Sequence, residues 1–171
     1  STIDNIYILN AFAQDRLENG GNMFALFIDL SAAFDTVNRS QLFQLMERKG
    51  ISDYLIECCK EIYRRTPIEM GQIKFYTNKG VKQGCPLSPL LFSLYISDIE
   101  EVLRKAQAGG IVSGRHKIHT LAYADDMALL ANSPEELREM MRILRKYLEK
   151  LNLRLNVAKT KVMKFSRSGR Q

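Results

Sequence analysis

The chain has 171 residues, the length of one domain, and 46% of them are hydrophobic, enough for a sizeable core. No apolar run approaches the ~20 residues of a membrane-spanning helix, and no charged-then-apolar leader opens the sequence. The net charge of +6 is uneven: residues 138–171 hold 11 Lys and Arg against 2 Glu, net +9, and the remainder holds 14 against 17 acidic residues, net −3. A basic end on a slightly acidic body points to a polyanionic partner.

In chain order, Ile3, Ile6, Leu9, Ala13 and Leu17 fall near helical spacing and predict a helix over 2–18, stopped by Gly20-Gly21. MFALFIDL, residues 23–30, is a short apolar run that reads as a buried strand with one charge, Asp29, near its end. Ser40 is the expected cap of a helix running to Lys49, and Ser52 of the next, to about Arg65. Residues 67–81 alternate around Gly71 and Gly80 and predict a strand pair. After the loop KQGCPLSP, Ser88 as cap and Pro89 as first residue predict a helix of about 17 residues. A β region spans 110–131. Ser133-Pro134-Glu135-Glu136 then starts a strong helix whose stripe of Leu137, Met140, Met141, Leu144, Leu148 and Leu151 is core packing, and short strands follow at 153–157 and 161–165. Strands and helices mix without regular alternation, which implies an α+β fold with helices packed on one face of an antiparallel sheet. The three cysteines, Cys58, Cys59 and Cys85, have no metal-site spacing, which fits a reduced protein of the cell interior, nucleus or cytoplasm.

LAYADDMALLA, residues 121–131, places Asp125 and Asp126 inside an otherwise apolar segment. A hairpin turn, a solvated strand end or a bound cation each account for it, because two unpaired buried carboxylates are too costly. If the arms pair as a hairpin and the strand of Asp29 runs alongside, three carboxylates meet at one edge of the sheet. Hard oxygen donors of that kind suit Mg²⁺.

Four segments carry a resemblance: FALFIDLSAAFDTV, VKQGCPLSPLLFSLYI, LAYADDMALLA and LRLNVAKTKVMKF. In this order, over roughly residues 23–165, they resemble reverse transcriptases, most closely those of non-LTR retrotransposons. The ordered set, with YADD rather than GDD, separates this resemblance from RNA-dependent RNA polymerases. It implies a polymerase palm with adjoining fingers elements, residues 1–171 forming a single domain, with the N-terminal fingers and the C-terminal thumb outside it. The implied activity is RNA-directed DNA synthesis by two-metal nucleotidyl transfer, with an RNA template, a DNA primer, dNTPs and two Mg²⁺ ions for which Mn²⁺ substitutes.

By the same resemblance Asp29 and Asp125 are the principal metal ligands, and Asp126 is a secondary ligand or a charge tuning the site. Phe34 lies under the incoming sugar and disfavours a 2′-hydroxyl. Gln83 and Gly84 contact template and nucleotide, Tyr123 lies near the primer end, and Lys159 is a general acid for departing pyrophosphate. Asp35 is expected to cap the helix after the strand. Lys161 and Lys164 face phosphates or solvent. His116 and His119, three apart without a nearby Cys, fall short of zinc's usual four ligands. The alternative function is a catalytically inactive palm fragment that binds nucleic acid or protein and self-associates through an exposed palm surface.

Overall fold

The computed structural model describes residues 2–64, 68–70, 73–75 and 79–167. In chain order come α1 (Thr2–Glu18), β1 (Met23–Ile28), β2 (Leu30–Ser31), α2 (Ala33–Thr36), α3 (Arg39–Arg48), α4 (Asp53–Arg64), β3 (Ile68–Met70) and β4 (Ile73–Phe75). After the QGCP loop follow α5 (Ser88–Tyr95), α6 (Ile99–Lys105), β5 (Ile111–Ser113), β6 (His116–Ile118), β7 (Thr120–Tyr123) and β8 (Asp126–Ala131). The chain then continues through α7 (Pro134–Lys150), β9 (Arg154–Leu155) and β10 (Lys161–Phe165).

The central sheet is antiparallel in the order β10-β1-β8-β7. β1 therefore has a neighbour on each side, as its nearly continuous apolar sequence requires. Alternation along β1 and β8 divides the core in two. Leu26, Ile28, Met127, Leu129 and Ala131 pack with α3 to α7, whereas Met23, Ala25 and Leu130 pack with Phe12 and Ala13 of α1. Most helices thus lie on one face, and α1 covers part of the other. Each fully buried Leu, Ile or Met contributes about 1.5–3 kcal/mol. These flanking residues offset the placing of charged groups at the ends of the same strands.

Local chemistry departs from the expected pattern at four points. The helix expected from Ser40 is capped instead by Asn38, whose side chain accepts from the Gln41 amide. The single helix expected after Pro89 is two, α5 and α6, separated by a turn at 96–98. Ser97 and Asp98 fall in that turn, and such residues compete with helical hydrogen bonding. Asp98 there pairs with Lys49 at 2.7 Å. Ser88 does not cap, because its hydroxyl donates to the Lys82 carbonyl at 2.6 Å and lies 3.3 Å from the Tyr63 hydroxyl. Asp35 caps nothing: it lies in the first turn of α2, which has no side-chain cap. The expected cap does form at Ser133, which accepts from the Glu136 amide. Of the strand pair expected over 67–81, β3 and β4 are antiparallel, and residues 67, 71–72 and 76–78 lie outside the described residues. Among the described residues no helix is long and apolar enough to cross a membrane.

Candidate active site

β7 and β8 form a hairpin with a two-residue turn, Ala124-Asp125, closed by the pair Tyr123 and Asp126. Ala124 adopts φ +55°, a left-handed conformation that costs a non-glycine residue of order 1–3 kcal/mol. Both aspartates thus sit at the tip of an apolar hairpin. The β1–β8 ladder ends with Ile28 opposite Met127, and one step further lie Asp29 on one chain segment and Asp126 on the other. The topology therefore brings Asp29, Asp125 and Asp126 to one end of the two central strands. Asp29 and Asp125 are half-buried and Asp126 is exposed.

Asp29 is fixed through its backbone. Its carbonyl accepts from the Asn156 amide at 2.8 Å, and its amide donates to Thr160 Oγ1 at 3.3 Å. Asn156 also organises the turn between β9 and β10, accepting from the Lys159 amide at Oδ1 (3.4 Å) and from the Thr160 amide at its carbonyl (2.9 Å). This turn carries Lys159, exposed, on the segment that clasps Asp29. Lys161 folds back onto the Ala158 carbonyl at 2.8 Å, and Lys164 is exposed on the edge strand. Asn156 and Thr160 were missed as supports of Asp29. Their signal is an Asx-type turn sequence, but what the turn grips lies more than 120 residues earlier.

Among the described residues, no cation or hydrogen-bond donor is partnered with the carboxylates of Asp29, Asp125 or Asp126. No three His, Cys, Asp or Glu side chains there stand close enough to close around one ion as they are. In kind the donors fit a hard divalent cation, since they are carboxylate oxygens with no counter-charge of their own. In number they fit Mg²⁺, which takes one or two carboxylates with substrate phosphates and water rather than a closed protein cage.

Two cavities are lined by residues that the sequence singled out. Asp126, Tyr123 and Phe27 line one of about 200 Å³ beneath Asn5, Ile6 and Leu9 of α1. The other, about 550 Å³, is lined by Phe34, Gln83, Gly84, Cys85, Pro86, Ser88 and Pro89. Phe34 and Gln83 come together because the loop is stitched to α2: Val81 N–H donates to the Phe34 carbonyl and Gly80 N–H to that of Val37, each at 2.8 Å. Gly80, at φ +85°, is required here, since a Cβ would stand 3.1 Å from the Asp35 carbonyl. The Phe34 ring rests against Phe92, centroids 5.3 Å apart. Gln83 Nε2 lies 3.2 Å from both carboxylate oxygens of Asp35. Asp35, expected to cap a helix, is instead the partner of a residue that lines this cleft.

The two histidines differ in their surroundings, His116 being exposed and His119 buried. His119 is 1% exposed, and its Nδ1 lies 2.7 Å from Glu100, which also accepts from the amides of His119 and Thr120 and from the Thr120 hydroxyl. Burial works against the charged form of Glu100. The hydrogen bonds from Thr120 and His119 outweigh it and hold this carboxyl below its usual range.

An antiparallel sheet with paired aspartates at a hairpin tip, a third at the neighbouring strand end and a glycine-bearing loop over an aromatic defines a polymerase palm. The chain belongs to the reverse transcriptase (RNA-dependent DNA polymerase) family, whose match runs over residues 2–169. Within it, the chain is similar to the Pol polyproteins of R2 elements, which are non-LTR retrotransposons. That of a type-1 element of Popillia japonica is 33% identical over 136 residues, covering 75% of this chain and 22% of the polyprotein. That of the type-2 element R2DM of Drosophila melanogaster is 24% identical over 161 residues, covering 91% and 15%. The chain spans less than a quarter of the length of these relatives. In fold it matches a C-terminally truncated apo telomerase of Candida tropicalis with a TM-score of 0.72 at 17% identity, covering 100% of this chain and 36% of that one. Telomerase of Candida albicans, solved with a fragment of telomeric RNA, matches at 0.70 and 14% identity, covering 100% and 31%. Reverse transcriptases as a family depend on divalent metal.

Proposed function

We propose that this chain is the catalytic palm of an RNA-directed DNA polymerase of a non-LTR retroelement, joining a primer 3′-hydroxyl to a dNTP on an RNA template. The observation that carries the reading is the meeting of Asp29, Asp125 and Asp126 at one strand end with no counter-charge among the described residues. Asp29 and Asp125 would hold the metal and Asp126 would tune the site. Divalent cations held by these carboxylates, Mg²⁺ or Mn²⁺, would supply activation of the attacking hydroxyl and stabilisation of the leaving phosphate. Phe34 excludes a 2′-hydroxyl from the sugar, and Gln83 and Gly84 hold nucleotide and template in the cleft they share. Tyr123 meets the primer end. Lys159, on the turn that clasps Asp29, gives a proton to the departing pyrophosphate.

The second reading is a binding module without catalysis, and the apolar residues exposed on α1 and β10 favour it. It predicts self-association through exposed apolar residues such as Ile6 and Tyr7 of α1 and Val162 and Met163 of β10. The discriminating experiment replaces the matching segment of an R2 polyprotein with residues 2–169 and supplies an RNA template, a DNA primer and dNTPs. Extension should require Mg²⁺, stop with chelator and return with Mn²⁺. A folded chimera that binds template and primer without extending them would establish the binding-module reading instead.

A further inference from the structure

A second site lies on the β5–β6 hairpin, at the end of β7 away from the aspartates. Arg115, His116 and Lys117 at the hairpin tip, Arg104 and Gln107 from the end of α6, and His119 enclose an open cavity of about 600 Å³. Among the described residues Arg115, His116 and Lys117 have no acidic partner. Arg104 has only a 4.0 Å approach to Glu101, which Lys105 already holds at 2.7 Å. The wall behind these cations is built. His119 is buried and its Nδ1 is fixed by Glu100, itself anchored on Thr120. Gly110, at φ +92°, leaves room for both the imidazole and the Lys117 stem: a Cβ would stand 2.7 Å from His119 Cδ2 and 3.0 Å from Lys117 Cε.

From this geometry we infer that the cavity binds backbone phosphate of a nucleic-acid strand, a contact separate from the aspartate end. Every lining side chain is polar or charged, and none is apolar. A protein segment docking here would find no apolar anchor, whereas a phosphate needs only donors, and guanidinium supplies them as a fork. The contrast is a groove along α7 and β9, where Met141, Leu148, Leu155 and Val157 form much of the wall and the arginines of α7 are engaged by Glu135, Glu139 and Glu149. His119 lies four residues before Tyr123, roughly 13 Å along a strand at about 3.3 Å per residue. A strand held here would be gripped about four base-pair rises from the primer-end tyrosine.

The inference predicts salt-dependent binding that the hairpin cations carry. Affinity for labelled single-stranded RNA, single-stranded DNA and an RNA–DNA duplex is measured by anisotropy against salt, without divalent metal. Arg115→Ala/Lys117→Ala should weaken binding and flatten the log K against log salt slope by about 0.7 per lost contact on single strands and about 0.9 on duplex. Arg115→Lys/Lys117→Arg should retain the slope, and Arg138→Ala/Arg142→Ala, on the ion-paired face of α7, should leave it unchanged. An effect confined to RNA or to DNA assigns the strand, and an effect on both assigns phosphodiester of either. An unchanged slope on all three ligands overturns the inference, as does loss of affinity for poly-glutamate alone. Because neither metal nor turnover enters, the outcome is independent of polymerase activity, and an Asp125→Asn background should give the same slopes.

Discussion

The two ends of the β7–β8 hairpin treat carboxylates in opposite ways. At the turn, Asp125 and Asp126 meet Asp29 with no donor or cation among the described residues. At the far end, Glu100 reaches over from α6 and accepts from two backbone amides, one hydroxyl and one imidazole. Glu100 is therefore satisfied within the protein, whereas the three aspartate carboxylates have no partner among the described residues. Under the proposed function, the difference separates an acid that stabilises the fold from acids that would act in catalysis, although all of them flank the same buried strands.

The largest test of that contrast is Asp125→Asn. In the R2 chimera it should lower primer extension by at least a hundredfold, since even residues that only support a metal ligand are worth ~10–100-fold. The metal-free chain should melt at the same temperature or higher, because like-charge repulsion at the tip is relieved. Full extension by this variant would leave the aspartates with no catalytic role.

Glu100→Ala should do the reverse. It leaves the buried His119 Nδ1, two amides and a hydroxyl without their acceptor, at about 2–3 kcal/mol. At about 2–4 °C per kcal/mol for a chain this size, melting should fall by roughly 4–12 °C, while metal-dependent extension per folded molecule is retained. The pH dependence carries the same signature. Glu100 ionises below its usual range in the folded chain, so the unfolded chain binds more protons between the two values. The stabilisation is present above the unfolded value, ~4.3, and is lost as pH falls through the lower folded value. Urea unfolding between pH 3 and 6 should show the gap between wild type and Glu100→Ala closing on acidification. A gap independent of pH would mean that the charge on Glu100 contributes nothing.

A smaller effect belongs to the cleft lined by Phe34 and Gln83. Phe34→Val should raise ribonucleotide use relative to deoxyribonucleotide by roughly tenfold, or ~1.4 kcal/mol of lost discrimination. An unchanged ratio would return Phe34 to packing against Phe92.

Elements with strong periodicity were legible in the sequence: α1, β1, α7 and the hairpin bearing Asp125-Asp126 lie where their patterns put them. What the sequence hid was long-range. Ser88 has a capping residue's identity, but tertiary partners at Lys82 and Tyr63 take its hydroxyl. Nothing local around His119 reveals that Glu100, nineteen residues away, holds its ring. The link from Asn156 and Thr160 to Asp29 crosses most of the chain and leaves no local periodicity to detect. The resemblance named Phe34, Gln83 and Gly84 one by one, and it is the stitching of Val81 to Phe34 that gathers them around one cleft.

The smallest predicted effect concerns Asp35, expected to cap a helix, and its partner Gln83. Gln83 donates from Nε2 to Asp35, which fixes the amide plane and leaves Oε1 as the acceptor available to the cleft. Asp35 is exposed and belongs to a four-residue helix, so its removal should leave melting within about 0.5 kcal/mol of wild type. Releasing Gln83 to rotate should instead raise KM for dNTP about threefold to fivefold, with kcat little changed, because binding geometry and not the reacting atoms is affected. Asp35→Asn retains one acceptor oxygen and should fall between wild type and Asp35→Ala. The decisive measurement is the double-mutant cycle with Gln83→Ala. If Asp35 acts through Gln83, the second substitution adds almost nothing to the first, since residues that share one interaction are not additive. Effects that simply multiply would mean that Asp35 meets the nucleotide or template by its own contact, and the positioning role would have to be given up.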